Sequence, residues 1–186
     1  PYVSRAAHKL IGALDDLDVP VSGRALDAGA STGGFTQVLL ERGCRHVYCV
    51  DVGHGQLHPR VASDPRVTSW ERLHLRDLSI EHTHGELVDL VVADVSFISL
   101  TMISEPILAL AAPGAHALLM VKPQFEVGRE RLGAGGVVTD PAHREFAVGQ
   151  VLDHVESLGW WCRARAASRL AGPAGNLEEF VHLVRR

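Results

Sequence analysis

The sequence of 186 residues is poor in cysteine and in aromatic residues and contains no long apolar segment. Its three cysteines, Cys44, Cys49 and Cys162, cannot all pair and form no C-x-x-C motif, which indicates reduced thiols rather than a disulfide-stabilised scaffold. No apolar run approaches the roughly 20 residues of a membrane-spanning helix, and no signal peptide is evident. With 46% hydrophobic and 22% charged residues, the composition is that of a folded domain. We therefore expect a cytoplasmic protein that does not span a membrane.

Lysine is almost absent as well. Only two of the 18 basic residues are lysine, Lys9 and Lys122, and the formal net charge is −4. A net negative charge argues against a protein whose whole surface binds nucleic acid, although it leaves room for a local basic patch. Lysine differs from arginine because its compact ammonium group can lose a proton, whereas a guanidinium group stays charged. The two lysines are therefore candidate functional residues. The alternative is that both are ordinary surface residues that remain lysine by chance.

The pattern of apolar residues predicts strands that alternate with helices. The strands are expected at Arg24–Ala28, His46–Asp51, Val67–Trp70, Leu87–Ala93, His116–Val121, 160–167 and 178–184. The helices are expected from Ser4, as the capping residue, to Leu17, and over 35–42, 54–62, 101–111 and 140–158. This alternation implies a parallel sheet with helices on both faces, and the last two strands imply an antiparallel hairpin at one edge. The sequence predicts an α/β, Rossmann-like fold with a mostly parallel seven-stranded sheet, in one domain of residues 1–186.

A glycine-rich turn, Gly29–Gly34, follows the first predicted strand, where open α/β sheets bind ligands. The dinucleotide fingerprint G-x-G-x-x-G has Ser31 at its second glycine position, and a serine there crowds the approach of a pyrophosphate. Asp27, just before the turn, suits a cationic ligand, and Asp51 ends the second strand, where a carboxylate can bind two ribose hydroxyls. Together these features predict binding of S-adenosylmethionine, with NAD and a purely structural turn as the alternatives.

Further charged residues lie at the ends of predicted strands. Asp94 follows the fourth strand and Lys122 the fifth, so both are expected at the same edge of the sheet. A lysine at a buried strand end needs a partner, and Asp94 is the obvious one. Glu178 or Glu179, at the start of the last strand, could join them. The pattern predicts a catalytic group of charges, with an inert salt bridge as the alternative.

Five segments carry a family resemblance: Ser4–Leu10, Asp27–Phe35, Ala93–Leu100, Val121–Gly128 and Gly172–Glu178. Together they resemble the TlyA (haemolysin A) family, which belongs to the FtsJ/RrmJ-type ribose 2′-O-methyltransferases. The resemblance runs from Val3 to the end of the chain. It implies S-adenosylmethionine as the cofactor, ribosomal RNA or ribosomal subunits as the partner, and methylation of cytidine ribose. It also implies an N-terminal S4-type RNA-binding domain, which this sequence does not contain.

The resemblance also implies roles for individual residues. The family's Lys-Asp-Lys-Glu catalytic tetrad falls on Lys9, Asp94, Lys122 and Glu178. The implied cofactor-binding residues are Asp27, Gly29, Ala30, Ser31, Gly33, Gly34, Phe35, Asp51, Val52, His74 and Asp94. His74 stands where relatives place Asp or Asn against the adenine. The residues expected to contact RNA through phosphate or by stacking on a base are Arg5, His8, Phe97, Phe125, Arg129 and Arg131.

In the implied reaction, Lys122 lies nearest the ribose 2′-hydroxyl. The sequence leaves open whether Lys122 acts as an ammonium that orients the hydroxyl or as a neutral general base. Three other functions also stay open: a membrane-acting haemolysin, a small-molecule O-methyltransferase and a catalytically idle binding module. No metal site is expected, because the His54/His58 and His82/His84 pairs are not accompanied by acidic or thiol residues that could complete a set of metal ligands. The sequence does not indicate the oligomeric state.

Overall fold

Seven strands form one sheet in the computed structural model, which describes residues 1–186. The strands are β1 (Arg24–Ala28), β2 (His46–Val50), β3 (Val67–Trp70), β4 (Val88–Ala93), β5 (Ala111–Val121), β6 (Trp160–Ala167) and β7 (Glu179–Arg185). Their order across the sheet is β3-β2-β1-β4-β5-β7-β6. Strands β1 to β5 pair in parallel, and β7 is antiparallel to both β5 and β6. The predicted sheet with its antiparallel edge hairpin is therefore confirmed.

Five helices cover the two faces of this sheet. They are α1 (Ala6–Leu17), α2 (Gly34–Glu41), α3 (Pro59–Ala62), α4 (Leu100–Leu108) and α5 (Pro141–Ser157). Because successive side chains of a strand point to opposite faces, each strand contributes to two cores. In β4, Leu90 and Val92 pack with α1 and α2, whereas Val91 and Ala93 pack with α4 and α5. Burial on both faces explains why β4 is almost continuously apolar.

The local structure differs from the expectation at three places. Ser4 does not cap α1, because Arg5 takes the capping position and makes no side-chain hydrogen bond to the helix. The helix expected over 54–62 is reduced to α3, since residues 53–58 form an irregular turn in which Gly55 has a φ of +66°. The helix expected over 101–111 ends at Leu108, because β5 already begins at Ala111 and is longer than predicted.

The carboxyl ends of β1, β2, β4 and β5 meet at one edge of the sheet. Backbone hydrogen bonds tie the turns that leave this edge to one another. The N–H groups of Gly29 and Ala30 donate to the carbonyl of Val50, and the N–H group of Asp94 donates to the carbonyl of Ala28. The turns after β1 and β4 are thereby held side by side, which places their side chains around a common space. None of the helices is both long and apolar enough to cross a membrane.

Candidate active site

The ends of β4 and β5 bring an ion pair to this edge of the sheet. Lys122 Nζ lies 2.5 Å from Asp94 Oδ1 and also donates a hydrogen bond of 2.9 Å to Ser96 Oγ. The two strands are parallel neighbours, which is why the residues that follow them meet. Only 11% of the Lys122 side chain is exposed, so its charge is largely withdrawn from water and needs a partner. The predicted pairing of Asp94 with Lys122 is confirmed.

A second ion pair joins the two ends of the chain. Lys9 Nζ on α1 lies 3.0 Å from Glu178 Oε1, just before β7. The Glu178 side chain is fully buried, and its other oxygen accepts a hydrogen bond of 3.1 Å from Gln124 Nε2. Glu179 instead pairs with Arg165 on β6 at 2.8 Å. Of the two adjacent glutamates, Glu178 is therefore the one that meets a lysine.

Both ion pairs line one cavity of about 750 Å³. Its walls come from α1, the glycine-rich turn, the loops after β4 and β5, and two segments around 132–136 and 171–178. Asn176 holds the last two segments together. Its side chain accepts a hydrogen bond of 2.9 Å from Val138 N and donates one of 3.1 Å to the carbonyl of Gly136. The cavity is thus an open pocket whose walls surround four charged side chains.

A second cavity of about 370 Å³ adjoins the first. The residues that line both cavities are Gly29, Ser31, Asp94, Ser96 and Phe97. Asp51 lies on the wall of the second cavity, where Ser31 N donates to its Oδ2 at 2.7 Å and Gly53 N donates to its Oδ1 at 2.8 Å. Val52 and His74 line the same cavity. Two backbone amides therefore fix the Asp51 carboxylate while leaving it lone pairs for a ligand.

The turn at Gly29 allows the backbone to pass close to the loop after β4. Gly29 has a φ of +83°, and a Cβ atom at this position would lie 2.3 Å from the backbone oxygen of Asp94. Any side chain would push the two loops apart and open the junction between the cavities. Gly29, Ala30, Ser31 and Phe35 all line the larger cavity, and their contact with the cofactor stays a prediction.

Three residues of the predicted cofactor set line neither cavity. Asp27 is fully buried behind the turn, where Thr36 Oγ1 donates to its Oδ2 at 2.7 Å and its Oδ1 has no partner. Burial raises the pKa of Asp27 to about 7, against the opposing effect of the Thr36 hydrogen bond. Gly33 packs against Leu57 and Val61, and Gly34 packs against α1. These three residues shape the turn from behind, which corrects the expectation that they face the ligand.

The predicted RNA-contacting residues divide into two groups. Arg5, Phe97 and Phe125 line the larger cavity, and the rings of the two phenylalanines lie 5.1 Å apart. Phe97 is 89% exposed and has a φ of +64°, an uncommon conformation for an aromatic residue.

His8, Arg129 and Arg131 do not line the cavity. The His8 ring packs edge-on against Tyr2 at 5.2 Å, and the Arg131 guanidinium lies 4.2 Å from the ring centre of Phe146 on α5. Arg129 is exposed on a short 3₁₀ turn, Arg129–Arg131. The structure therefore places these three residues outside the cavity, and their contact with RNA stays a prediction.

Sequence reasoning missed three polar residues of the site. Ser96 accepts the hydrogen bond from Lys122, Gln124 holds Glu178, and Glu126 binds the start of α4. A glycine is also needed near Glu178, because a Cβ atom on Gly172 would lie 2.6 Å from its carboxylate oxygen. All four belong to segments that carry the family resemblance, but Ser96, Gln124 and Gly172 carry no charge, and no local pattern indicates that the Glu126 carboxylate reaches the start of α4.

The sequence matches the family model described as FtsJ-like methyltransferase over residues 2–185. The chain belongs to the FtsJ-like methyltransferase family. A curated relative, the 16S/23S rRNA (cytidine-2′-O)-methyltransferase TlyA of Mycobacterium tuberculosis, is 50% identical over 98% of this chain and 68% of that protein. The 23S rRNA (cytidine-2′-O)-methyltransferase TlyA of Campylobacter jejuni is 34% identical over 99% of this chain and 71% of that protein. The family resemblance stated from the motifs is thereby confirmed.

Solved structures agree with the assignment of the fold. A Lactococcus lactis protein described as a hemolysin is 36% identical and superposes with a TM-score of 0.95, over 100% of this chain and 89% of that one. An S-adenosylmethionine-dependent methyltransferase of Listeria monocytogenes matches over 97% of this chain and 98% of that one with a TM-score of 0.71. At 14% identity, the second match shows the fold alone.

The residues around the smaller cavity fit S-adenosylmethionine better than a dinucleotide. Asp51 presents a fixed carboxylate for ribose hydroxyls, and Asp94 adds a second negative charge. No lysine or arginine lines this cavity, so a diphosphate would meet the Asp51 carboxylate without a basic side chain to bind it. The remaining wall is largely apolar, with Leu75, Val95 and Ile98 among its members, and suits a flat purine ring. No group of three or more His, Cys, Asp or Glu side chains is arranged to hold a metal ion.

Proposed function

We propose that this chain transfers a methyl group from S-adenosylmethionine to the ribose 2′-hydroxyl of cytidine in ribosomal RNA. The observation that carries the proposal is the meeting of both lysines of the chain with Asp94 and Glu178 in one cavity. The activity named for the curated relatives supports the same reaction and substrate. An enzyme with this substrate would work in the cytoplasm, where ribosomal RNA or ribosomal subunits are its partners.

We assign the two adjoining cavities to different ligands, the cofactor and the RNA nucleotide. S-adenosylmethionine, when bound, supplies an electrophilic methyl group on a positively charged sulfur atom. We assign its adenosine part to the smaller cavity, where Asp51 accepts from the ribose hydroxyls and Val52 and His74 face the base. Asp94 lines both cavities, so its negative charge lies where a cationic centre would join the acceptor. The larger cavity is left for the nucleotide to be methylated.

Lys122 is the group that we assign to the 2′-hydroxyl. A ribose hydroxyl is a weak nucleophile at neutral pH and needs a positioned partner for its proton. Lys122 Nζ is fixed by Asp94 and Ser96, which leaves one of its positions free for the 2′-oxygen. In this scheme, Lys122 first gives a proton to water, the neutral amine then receives the hydroxyl proton, and Asp94 stabilises the ammonium group that results. Lys9, Glu178 and Gln124 line the same cavity and bond to one another, and we assign to them the orientation of the acceptor toward Lys122.

The test is transfer of a labelled methyl group to ribosomal RNA and to isolated ribosomal subunits. The wild-type protein should label at least one of these substrates, and Lys122→Ala should not. Both proteins should bind S-adenosylmethionine equally, because Lys122 does not line the smaller cavity. Labelling of small hydroxylated acceptors but not of RNA would instead identify a small-molecule O-methyltransferase.

A liposome-leakage assay addresses the haemolysin alternative that the names of some relatives suggest. We expect no leakage, because no helix is long and apolar enough to cross a membrane. Leakage by wild-type protein that does not methylate RNA would overturn the proposal.

A further inference from the structure

Glu126 is a buried carboxylate outside the catalytic tetrad. It follows the short 3₁₀ turn Pro123–Phe125 at the end of β5. Its Oε1 accepts a hydrogen bond of 2.8 Å from Leu100 N, and its Oε2 accepts one of 2.5 Å from Ser99 Oγ. Burial raises the pKa of Glu126, and the two hydrogen bonds act in the opposite direction. The cost of burying a carboxylate has to be offset by such contacts, and here both lie at the start of α4.

These contacts join the two loops that build the acceptor side of the site. The loop between β4 and α4 carries Asp94, Ser96 and Phe97, and it ends at Ser99. The loop after β5 runs from Lys122 to Glu126 and includes Phe125. Glu126 therefore links the far end of one loop to the far end of the other, while the Asp94–Lys122 ion pair links their near ends. The loops are held at both ends.

Phe97 lies in the span between these two links. Its φ of +64° belongs to the left-handed region, which few residues other than glycine adopt without support from their surroundings. Phe97 is 89% exposed, and its ring lies 5.1 Å from the ring of Phe125 between centroids. Contacts of the ring are too few to impose this backbone conformation. The restraint has to come from the ends of the loop, and Ser99 is two residues from Phe97.

We propose that Glu126 is a positioning residue that holds the Phe97 turn, so that Phe97 and Phe125 present an aromatic surface to an unstacked base of the RNA. Aromatic side chains of this kind stack on bases of single-stranded or extruded nucleotides. This role rests on the proposed function, since it requires RNA as the substrate. Glu126 contacts neither substrate nor cofactor in this scheme and acts only through the loop that carries Phe97.

The test replaces Glu126 with alanine and measures steady-state methylation of ribosomal RNA. Without the Glu126 contacts, Phe97 should leave the left-handed region, because this conformation is unfavourable for a residue other than glycine. The population of the left-handed conformer should fall about five- to thirtyfold. The KM for RNA should rise by a similar factor. The kcat should change by no more than about threefold, because neither ion pair contacts Glu126. Glu126→Gln should restore most of the affinity, since its carbonyl oxygen can still accept from Leu100 N and its amide can donate to Ser99 Oγ.

Asp140→Ala is the matched control for the loss of a helix cap. Asp140 Oδ1 accepts from Ala142 N at 2.8 Å at the start of α5, and Asp140 lines neither cavity. This variant should keep the wild-type KM for RNA even if its melting temperature falls. If Glu126→Ala does not fold, Ser99→Ala removes the hydroxyl that Glu126 holds and should raise KM in the same direction.

A double-mutant cycle with Phe97→Ala decides whether Glu126 acts through Phe97. If it does, Glu126→Ala should raise KM in the wild-type background but add nothing in the Phe97→Ala background. Suppose that the enzyme methylates RNA, but the two substitutions have fully additive effects or Glu126→Ala lowers only kcat. The inferred role of Glu126 would then be wrong, while the proposed function would stand. Wild-type protein that binds S-adenosylmethionine but does not methylate RNA would overturn the proposed function, and the role of Glu126 in RNA binding with it.

Discussion

Replacement of Asp27 by asparagine is expected to change how the stability of the protein depends on pH. Asp27 is fully buried, accepts one side-chain hydrogen bond from Thr36 and leaves its Oδ1 without a partner. Burial raises its pKa to about 7, and the negative charges of Asp94 and Asp51 act in the same direction. An aspartate in an unfolded chain has a pKa of about 3.9. The folded state therefore keeps a proton that the unfolded state releases.

The sign and size of the effect follow from this difference in pKa. The stability contributed by protonated Asp27 is complete below about pH 4 and is lost as the pH rises to about 7. Each pKa unit corresponds to about 1.4 kcal/mol, so a difference of about 3 units corresponds to about 4 kcal/mol over the whole window. About 2.5 kcal/mol of this loss falls between pH 5 and pH 8. Asparagine does not titrate, so the free energy of unfolding of Asp27→Asn does not include this loss.

The measurement is urea unfolding of wild type and Asp27→Asn at pH 5 and pH 8. The difference in the free energy of unfolding between the two proteins should shift by about 2.5 kcal/mol in favour of the variant at the higher pH. A constant offset between them is immaterial, because only its change with pH reports on Asp27. Asp77→Asn, which removes an exposed carboxyl group, should show no comparable shift. Parallel pH profiles for wild type and Asp27→Asn would refute the reasoning.

Three further substitutions test the assignment of the site. Lys122→Ala should lower kcat about 10²- to 10⁴-fold in single-turnover assays and leave the Kd for S-adenosylmethionine within about threefold, and a large loss of cofactor affinity would contradict its assigned role. Glu178→Gln should lower kcat by at least about tenfold, whereas Glu179→Gln should keep wild-type turnover, because only Glu178 lines the acceptor cavity; equal effects would refute this distinction. Asp51→Ala should weaken binding of S-adenosylmethionine at least about tenfold by calorimetry, and an unchanged Kd would show that the ribose binds elsewhere.

The meeting of charged residues at this edge of the sheet could be predicted because they stand at positions that the fold brings together. Two lysines in an arginine-rich chain and an aspartate at the end of a buried strand are visible in the order of the residues alone. Asp94 and Lys122 can meet because β4 and β5 are parallel neighbours, and the alternation of strands with helices predicts that both residues lie at the same edge of the sheet. The choice between Glu178 and Glu179 could not be made in this way. Adjacent residues at the start of a strand face opposite sides, and a shift of the strand by one residue exchanges them.

The remaining differences arise where side chains interact over long separations in sequence. Nothing local indicates that Glu126 binds the start of a helix 26 residues earlier in the chain. Asp27 belongs to a glycine-rich turn, but whether its carboxylate faces the ligand or the interior depends on Thr36 and on how α2 packs. Arg131 offers a charge that suits phosphate, yet its guanidinium packs on Phe146 of α5. The partners and orientations of these side chains depend on tertiary packing, which residue spacing and charge are not sufficient to predict.

The most direct test of the proposed function is the identity of the nucleoside that the protein methylates. Ribosomal RNA treated with the protein and S-adenosylmethionine would be digested to nucleosides and analysed by mass spectrometry, with Lys122→Ala as the inactive control. We predict 2′-O-methylcytidine, with the added mass on the ribose fragment, and none of it in the control. A methyl group on the base, or unmodified RNA from protein that binds S-adenosylmethionine, would contradict the assignment of the cavity to a ribose 2′-hydroxyl.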